Sequence, residues 1–97
     1  MIILTKESFD DFTQQNNGVV QFSATWCGPC KVLSTTLENM VVDVQIGKLD
    51  IDDAVDVAAK FNIRSVPTLV FFKNGQEIDR LMGAKPAQKI KEFIDKN

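Results

Sequence analysis

The sequence predicts an α/β fold, with one mixed central sheet of about five strands and helices on both of its faces. Strand-like apolar runs alternate with segments of helical spacing in the first half of the chain, which favours parallel strands joined by crossover helices. Asn74-Gly75 lies between the last two strand-like runs, and this pair is typical of a tight antiparallel hairpin. With 97 residues the chain has the size of one domain and is too short for two. We therefore expect residues 1–97 to form a single domain.

The predicted elements follow the order β-α-β-α-β-α-β-β-α. Each is placed by its apolar periodicity and by turn or capping residues at its ends, such as Thr5 before the first helix and Pro86 at the start of the last. The predicted strands cover residues 1–4 at an edge, 19–24, 44–50, 68–73 and 77–82, and the predicted helices cover 6–15, about 29 to 42, 54–61 and a stretch from 86 onward.

Periodicity also predicts which side chains face inward. The strand at 19–24 should direct its odd-numbered and even-numbered residues to opposite faces. The apolar run at 68–73 is typical of a strand that is buried on both faces. The apolar stripes predicted for three helices are Val32, Leu33, Thr36, Leu37, Met40 and Val41; then Val55, Ala58 and Ala59; and then Ile90, Phe93 and Ile94.

Composition excludes several classes of function. The net charge is −2 and no long basic run is present, so the electrostatic signature of a nucleic-acid-binding protein is missing. The apolar runs are too short to span a membrane, and the first residues do not resemble a secretory signal. We therefore expect a cytoplasmic protein, in a compartment where a disulfide is more often transient than structural. Two cysteines and no histidine can neither complete a four-ligand zinc site nor form a Cys-His pair.

The chemistry-bearing motif is Cys27-Gly28-Pro29-Cys30, which follows a predicted strand and opens a predicted helix. At a helix N-terminus unpaired N–H groups and the dipole stabilise a thiolate, so we expect a lowered pKa for the Cys27 thiol. Cys30, one turn further along, can attack a mixed disulfide formed by Cys27. Pro29 suits a first helical turn, and Gly28 lets a substrate backbone come close. A disulfide that closes so short a loop stabilises a fold very little.

Two other interpretations of the cysteine pair stay open at this point. The cysteines could be small apolar core residues, although Gly-Pro between them and Trp26 beside them are poor choices for a core. They could also form half of a zinc site that a second chain completes.

The run from Trp26 to Lys31 resembles the active site of the thioredoxin family. Further matches follow in the family's order at residues 48–52, 63–68, 72–75 and 83–84, so the resemblance covers nearly the whole chain. It implies the thioredoxin fold and a dithiol–disulfide cycle, at Cys27 and Cys30, on disulfide-containing protein substrates. It further implies no bound cofactor, and re-reduction by a flavin-dependent thioredoxin reductase that uses NADPH. We expect a monomer that binds neither metal, nucleic acid nor membrane.

The resemblance also implies roles for residues outside the cysteine motif. The Val66–Pro67 bond should be cis, with Pro67 facing the two sulfurs, because the family has a cis proline at this place. The Val66 backbone would then pair with an extended substrate segment. An apolar groove around Cys27 for substrates would be formed by Trp26, Pro29, Val66, Pro67, Gly83 and Ala84.

The chain departs from the family's pattern at several positions. Gln21 stands where many thioredoxins have a buried aspartate that takes a proton from the second cysteine with the help of a lysine, here Lys48. Glutamine cannot accept that proton, so we expect a change in the rate rather than in the reaction. We expect the Gln21 side chain to lie beneath Cys30, because residues 19, 21 and 23 share one face of a strand that should be buried on both sides. Thr35 replaces a helix-kinking proline and Ser23 replaces a second tryptophan. The link between the second helix and the third strand is about four residues shorter than in the common bacterial pattern of the family.

Three alternatives to a general disulfide reductase remain at the level of sequence. An oxidase or isomerase would use the same site in the other direction, but Gly28-Pro29 favours the reductase. A binding subunit built on the same scaffold would not need both cysteines. A glutaredoxin would match Trp26 and the Gly-Pro dipeptide less well.

Overall fold

The computed structural model describes residues 1–15 and 17–97, and its elements follow the predicted order. The strands and helices are β1 (Ile2–Ile3), α1 (Phe9–Thr13), β2 (Gly18–Ser23), α2 (Gly28–Glu38), β3 (Gln45–Asp50), α3 (Val55–Lys60), β4 (Thr68–Lys73), β5 (Gln76–Met82) and α4 (Ala87–Lys96). None of the helices in these two ranges is long and apolar enough to cross a bilayer.

The strands form one mixed sheet in the order β1-β3-β2-β4-β5. β1 and β2 pair with β3 in parallel, whereas β4 is antiparallel to both β2 and β5. The turn between β4 and β5 has positive φ angles at Asn74 (52°) and Gly75 (85°), as a two-residue hairpin turn of the predicted kind requires. The mixed five-stranded sheet and the hairpin are therefore confirmed.

Each face of the sheet has its own hydrophobic core. One core packs α1 and α3 against the face that carries Val20 and Phe22, and the other packs α2 and α4 against the face that carries Val19. β4 contributes Val70 and Phe72 to the first core, and Leu69 and Phe71 to the second. The prediction that β4 is buried on both faces is thus confirmed.

The second helix ends earlier than its apolar pattern predicts. α2 stops at Glu38, and residues 40–44 continue without helix. In this segment Met40, Val42 and Val44 pack against the second core, whereas Val41 is 99% exposed. This alternation is typical of an extended chain, so the apolar residues beyond 39 had been assigned the wrong period.

The predicted apolar stripes of two helices were right only in part: Leu33 and Leu37 of α2 and Ala58 of α3 are buried as predicted, but other members are not. In α2 the buried residues are Cys30, Leu33, Ser34 and Leu37, whereas Val32 is 63% exposed. In α3 the buried residue is Ala58, whereas Val55 and Ala59 face solvent. In both helices several apolar phases compete in the sequence, and the core that each helix meets selects one. The stripe of Ile90, Phe93 and Ile94 in α4 is confirmed.

The first helix is shorter than the predicted 6–15. Residues 6–8 form a turn, in which Thr5 N–H donates to Ser8 Oγ at 2.9 Å and Ser8 N–H donates to Thr5 Oγ1 at 3.2 Å. Thr5 therefore caps this turn, as predicted, but regular helix begins only at Phe9.

Candidate active site

Cys27 and Cys30 lie at the junction between β2 and α2, where they are joined by a disulfide with a Cα–Cα distance of 5.3 Å. Cys27 is the N-cap of α2, and its Sγ accepts the backbone N–H of Cys30 at 3.1 Å. Pro29 lies in the first turn of α2, where its missing N–H leaves no helical bond unmade. The local sequence thus directs one cysteine sulfur at the positive end of a helix, as the motif predicts.

The two cysteines differ in accessibility. Cys27 retains slight exposure at the surface, and Cys30 lies deeper, almost fully buried. They form a small apolar cluster with Ala24, against which Ile51 and Val66 pack. Of the two cysteines, Cys27 is therefore the one nearer to the surface.

The segment before β4 lies against Cys27. The Val66–Pro67 bond is cis, as expected, and the Val66 carbonyl oxygen lies 3.8 Å from Cys27 Sγ. Gly83 N–H donates to the Pro67 carbonyl at 2.9 Å, and Gly83 has a φ of 92° that favours glycine. The structure therefore places Val66 beside Cys27 Sγ and joins Pro67 to Gly83, and Ala84 follows as an exposed residue.

Trp26 presents its side chain to solvent, with 69% of the residue exposed. Its indole Nε1–H donates a hydrogen bond to Asp52 Oδ2 at 2.9 Å. Asp52 was not singled out from the sequence, and its contact with Trp26 was missed. The one signal in the sequence was that residues 48–52 match the family's pattern.

Gln21 lies beneath Cys30, as predicted, and is fully buried. Its Nε2 donates to the Cys30 carbonyl oxygen, and its Oε1 accepts from Ser34 Oγ, both at 3.1 Å. The buried amide thus has a backbone acceptor for its nitrogen and a hydroxyl donor for its oxygen, as a buried polar group requires. Ser34 had not been singled out, because a serine in a helix looks like a surface residue unless the helix phase is known.

Lys48 stands next to Gln21 on the neighbouring strand, since the two residues are paired in the β2–β3 register. It is half-buried and lines a cleft of about 540 Å³ together with Lys31, Asp50 and Asp53. Among the residues that the structure describes, Lys48 makes no ion pair. The lysine is therefore near the position expected of it, without a buried acid as partner.

Thr35, at the position of the family's helix-kinking proline, lies within an uninterrupted α2. Its Oγ1 donates to the Lys31 carbonyl at 3.2 Å, one turn back. Ser23, at the position of a second tryptophan, is buried at the end of β2.

Comparison with known proteins agrees with this geometry. The sequence model of the thioredoxin family matches residues 1–96. The thioredoxin of Staphylococcus saprophyticus is 40% identical over 101 aligned positions that cover all of this chain and 97% of that protein. A Staphylococcus aureus thioredoxin is 38% identical with the same coverage.

Solved structures show the same relationship. The thioredoxin of Malassezia sympodialis superposes with a TM-score of 0.87 at 35% identity, covering 97% of this chain and 89% of that one. The thioredoxin of Fasciola hepatica gives a TM-score of 0.84 at 33% identity, covering 99% and 98%. A mutant thioredoxin of Halobacterium salinarum gives 0.91 at 28% identity, covering 98% and 88%.

Fold and site together define a thiol–disulfide oxidoreductase whose redox-active pair is Cys27 and Cys30. The chain belongs to the thioredoxin family. Within residues 1–15 and 17–97, no group of three or more His, Cys, Asp or Glu side chains is placed to hold a metal ion. A member of this family needs no bound cofactor, because the two sulfurs themselves carry the electron pair.

Proposed function

We propose that this protein reduces disulfides in other proteins, with Cys27 as the attacking thiol and Cys30 as the resolving thiol. The observation that carries the assignment is the N-cap position of Cys27, whose sulfur accepts the Cys30 N–H at 3.1 Å. A thiolate at this position is stabilised both by a charge-assisted hydrogen bond and by the positive end of the helix dipole. Cys30, almost fully buried, is poorly placed to meet a protein substrate first.

The reaction balances as two exchange steps. The Cys27 thiolate attacks one sulfur of the substrate disulfide, and the other substrate sulfur leaves as a thiolate that takes up a proton. The Cys30 thiol then loses its proton and attacks Cys27 Sγ, which releases the second substrate sulfur. The protein ends with the Cys27–Cys30 disulfide, and the substrate has gained two electrons and two protons.

The substrate-binding surface in this proposal is the groove formed by Trp26, Val66, Pro67, Gly83 and Ala84. Its support is that Val66 O lies 3.8 Å from Cys27 Sγ, so a substrate strand that pairs with the Val66 backbone would bring its sulfur close. The exposed indole of Trp26 provides apolar area on the other side of the motif.

Five residues tune the reaction in this proposal. Gly28 and Pro29 set the approach to Cys27 and the first turn of α2, and Pro67 shapes the surface opposite the sulfurs. Gln21 and Lys48 set the electrostatic environment beneath Cys30, where no carboxylate replaces the family's aspartate.

The remaining parts of the proposal follow from the family. Electrons come from NADPH through a thioredoxin reductase, and the partners are that reductase and disulfide-containing proteins. A reductase needs a compartment that keeps it reduced, so we assign it to the cytoplasm. We expect it to act as a monomer.

The test is insulin reduction with NADPH and thioredoxin reductase. The parent protein should consume NADPH and precipitate the insulin B chain, whereas Cys27→Ser should do neither. Thr35→Val serves as a matched control, because it changes an exposed residue on the same helix. If the parent shows no NADPH-dependent reduction with any of several bacterial reductases, yet oxidises reduced peptides, the oxidase alternative replaces this proposal.

A further inference from the structure

We propose that Ser34 is a positioning residue, which holds the Gln21 amide so that its N–H groups face Cys30 and stabilise the Cys30 thiolate during resolution. The inference rests on the proposed function, since it concerns the second exchange step. The proposal explains how the site works without the family's buried aspartate. The neutral amide of Gln21 stabilises the Cys30 thiolate by donating a hydrogen bond, where the aspartate would act as a base.

The orientation of the amide is fixed by two hydrogen bonds. The Cys30 carbonyl oxygen can only accept, so the amide must direct Nε2 toward it. That orientation directs Oε1 at α2, where Ser34 Oγ donates to it. Gln21 is fully buried and Ser34 nearly so. Without the Ser34 hydroxyl, Oε1 would lose its partner in a place that excludes solvent, which is costly.

The amide nitrogen carries two hydrogens, and the Cys30 carbonyl takes one of them. A second N–H therefore remains on an atom that is already hydrogen-bonded to the backbone carbonyl of Cys30. Hydrogen bonds to the charged form of a group stabilise that form. In the proposal, this second N–H is the donor that stabilises Cys30 Sγ once Cys30 has lost its proton.

Ser34 is placed for this role by helix geometry. It follows Cys30 by four residues, so both side chains lie on the face of α2 that packs on β2. The neighbouring hydroxyls of Thr35 and Thr36 bond backbone carbonyls of their own helix and are exposed. Of these three hydroxyls, only that of Ser34 contacts Gln21.

Charged side chains on neighbouring elements also affect the electrostatic potential at Cys30. Their contribution is the same in all the variants compared below. The elements that adjoin the site carry Lys31 on α2, Lys48 and Asp50 on β3, Asp52 in the loop after β3, and Arg64 before β4. Within the described residues, none of them forms a hydrogen bond with Gln21 or Ser34.

The experiment separates the two exchange steps in one mixing experiment. Fully reduced protein is mixed with dithiobis-nitrobenzoate, a small aromatic disulfide that gives a coloured thiolate. The first coloured equivalent reports attack by Cys27, and the second reports attack by Cys30 on the mixed disulfide. Both phases are followed by stopped flow across a range of pH for the parent, Ser34→Ala, Ser34→Thr, Gln21→Met, the Gln21→Met/Ser34→Ala double variant and the control Thr35→Val.

We expect Ser34→Ala to leave the first phase unchanged, to slow the second phase by about two- to tenfold near neutral pH, and to shift its midpoint to higher pH. Thr35→Val should match the parent, and Ser34→Thr should recover the parent midpoint. In the Gln21→Met background, Ser34→Ala should have no further effect, because the two residues act as a unit.

The proposal is overturned if Ser34→Ala has the second-phase midpoint of Thr35→Val, or if its effect persists in the Gln21→Met background. A parent protein that releases only one coloured equivalent would instead contradict the resolving role of Cys30, and thus the proposed function itself.

Discussion

The indole Nε1 of Trp26 donates a hydrogen bond of 2.9 Å to Asp52 Oδ2, which joins the start of the cysteine motif to the loop after β3. Asp52 is itself held, since its N–H donates to Asp50 Oδ1 at 2.9 Å. An exposed tryptophan is thereby kept in one orientation next to Cys27. This arrangement reduces the entropy that a substrate would otherwise have to remove on binding.

Replacing Asp52 by alanine should therefore weaken the binding of protein substrates more than the binding of small substrates. We expect Asp52→Ala to raise KM for insulin several-fold, with a smaller change for dithiobis-nitrobenzoate. Folding stability should fall by less than about 1 kcal/mol because the pair is exposed. Asp53→Ala, one residue further along the same exposed loop, is the control. Equal losses for both substrates would contradict a role in protein docking.

Gly28 offers a second test of the docking surface, because a Cβ added there would meet nothing within 4 Å. We expect Gly28→Ala to keep or slightly raise stability, by up to about 1 kcal/mol, since alanine favours helix. Its rate on insulin should fall, because the methyl group occupies the space through which a substrate backbone approaches. An unchanged KM for insulin would show that substrates do not pass over Gly28.

Gly47→Ala is the packing counterpart of that variant. An added Cβ would lie 2.6 Å from Leu4 Cδ1 and 3.2 Å from Phe12 Cζ. Overpacking of this kind costs about 1–3 kcal/mol, so thermal unfolding should show a clear loss for Gly47→Ala alone. If Gly28→Ala is the less stable of the two, the packing described here is wrong.

Gln21→Asp should restore a base at the cost of stability. Burial raises the pKa of the new carboxyl above its unfolded value of about 3.9. The folded state then binds the proton more tightly, so stability falls as pH rises past the unfolded pKa. The control is Gln21→Asn, whose side chain has the same length as that of aspartate. The free energy of unfolding of Gln21→Asp should be lower than that of Gln21→Asn at pH 7 by about 1–3 kcal/mol, and the two should be equal at low pH. Insulin reduction should be faster for the aspartate variant. Denaturant midpoints that show no pH-dependent gap between these two variants would refute the account.

The contribution of Asp79 to folding stability should rise with pH, which is the opposite of the trend expected for Gln21→Asp. The Asn97 side-chain hydrogen bond lowers the pKa of Asp79 below its ordinary 3.8, burial opposes this, and Lys96 and the Arg80 N–H assist. A depressed pKa in the folded state contributes stability above the unfolded value that is lost as pH falls through the folded one. Asp79→Asn should therefore destabilise at pH 7, by less than about 1 kcal/mol since Lys96, its charged partner, is largely exposed to solvent. The difference should shrink as pH falls below 3.8 and through the lowered pKa of Asp79, and Asn97→Ala should reproduce part of it. A penalty that is constant with pH would point to packing instead.

The sequence was sufficient for the order of the elements, the mixed sheet with its terminal hairpin, the cysteine pair, the cis bond before Pro67 and the inward direction of Gln21. These depend on local signals: alternation in β2, a proline in a family motif, and a cap followed by a helix. The phases of α2 and α3 were not predictable, because Val32 and Leu33 are equally apolar and only the core decides which is buried. Ser34 was missed for the same reason, as its contact with Gln21 exists only in the correct phase. Asp52 was missed because a hydrogen bond across 26 residues leaves no local pattern.

The central claim is that Cys27 attacks and Cys30 resolves, and trapping of mixed disulfides tests it most directly. Cys30→Ser and Cys27→Ser are each incubated with a disulfide-containing protein, and the adducts are separated without reductant. The account predicts that Cys30→Ser accumulates a covalent adduct that dithiothreitol releases, whereas Cys27→Ser accumulates none. Adducts with Cys27→Ser and none with Cys30→Ser would reverse the roles of the two cysteines and contradict the account.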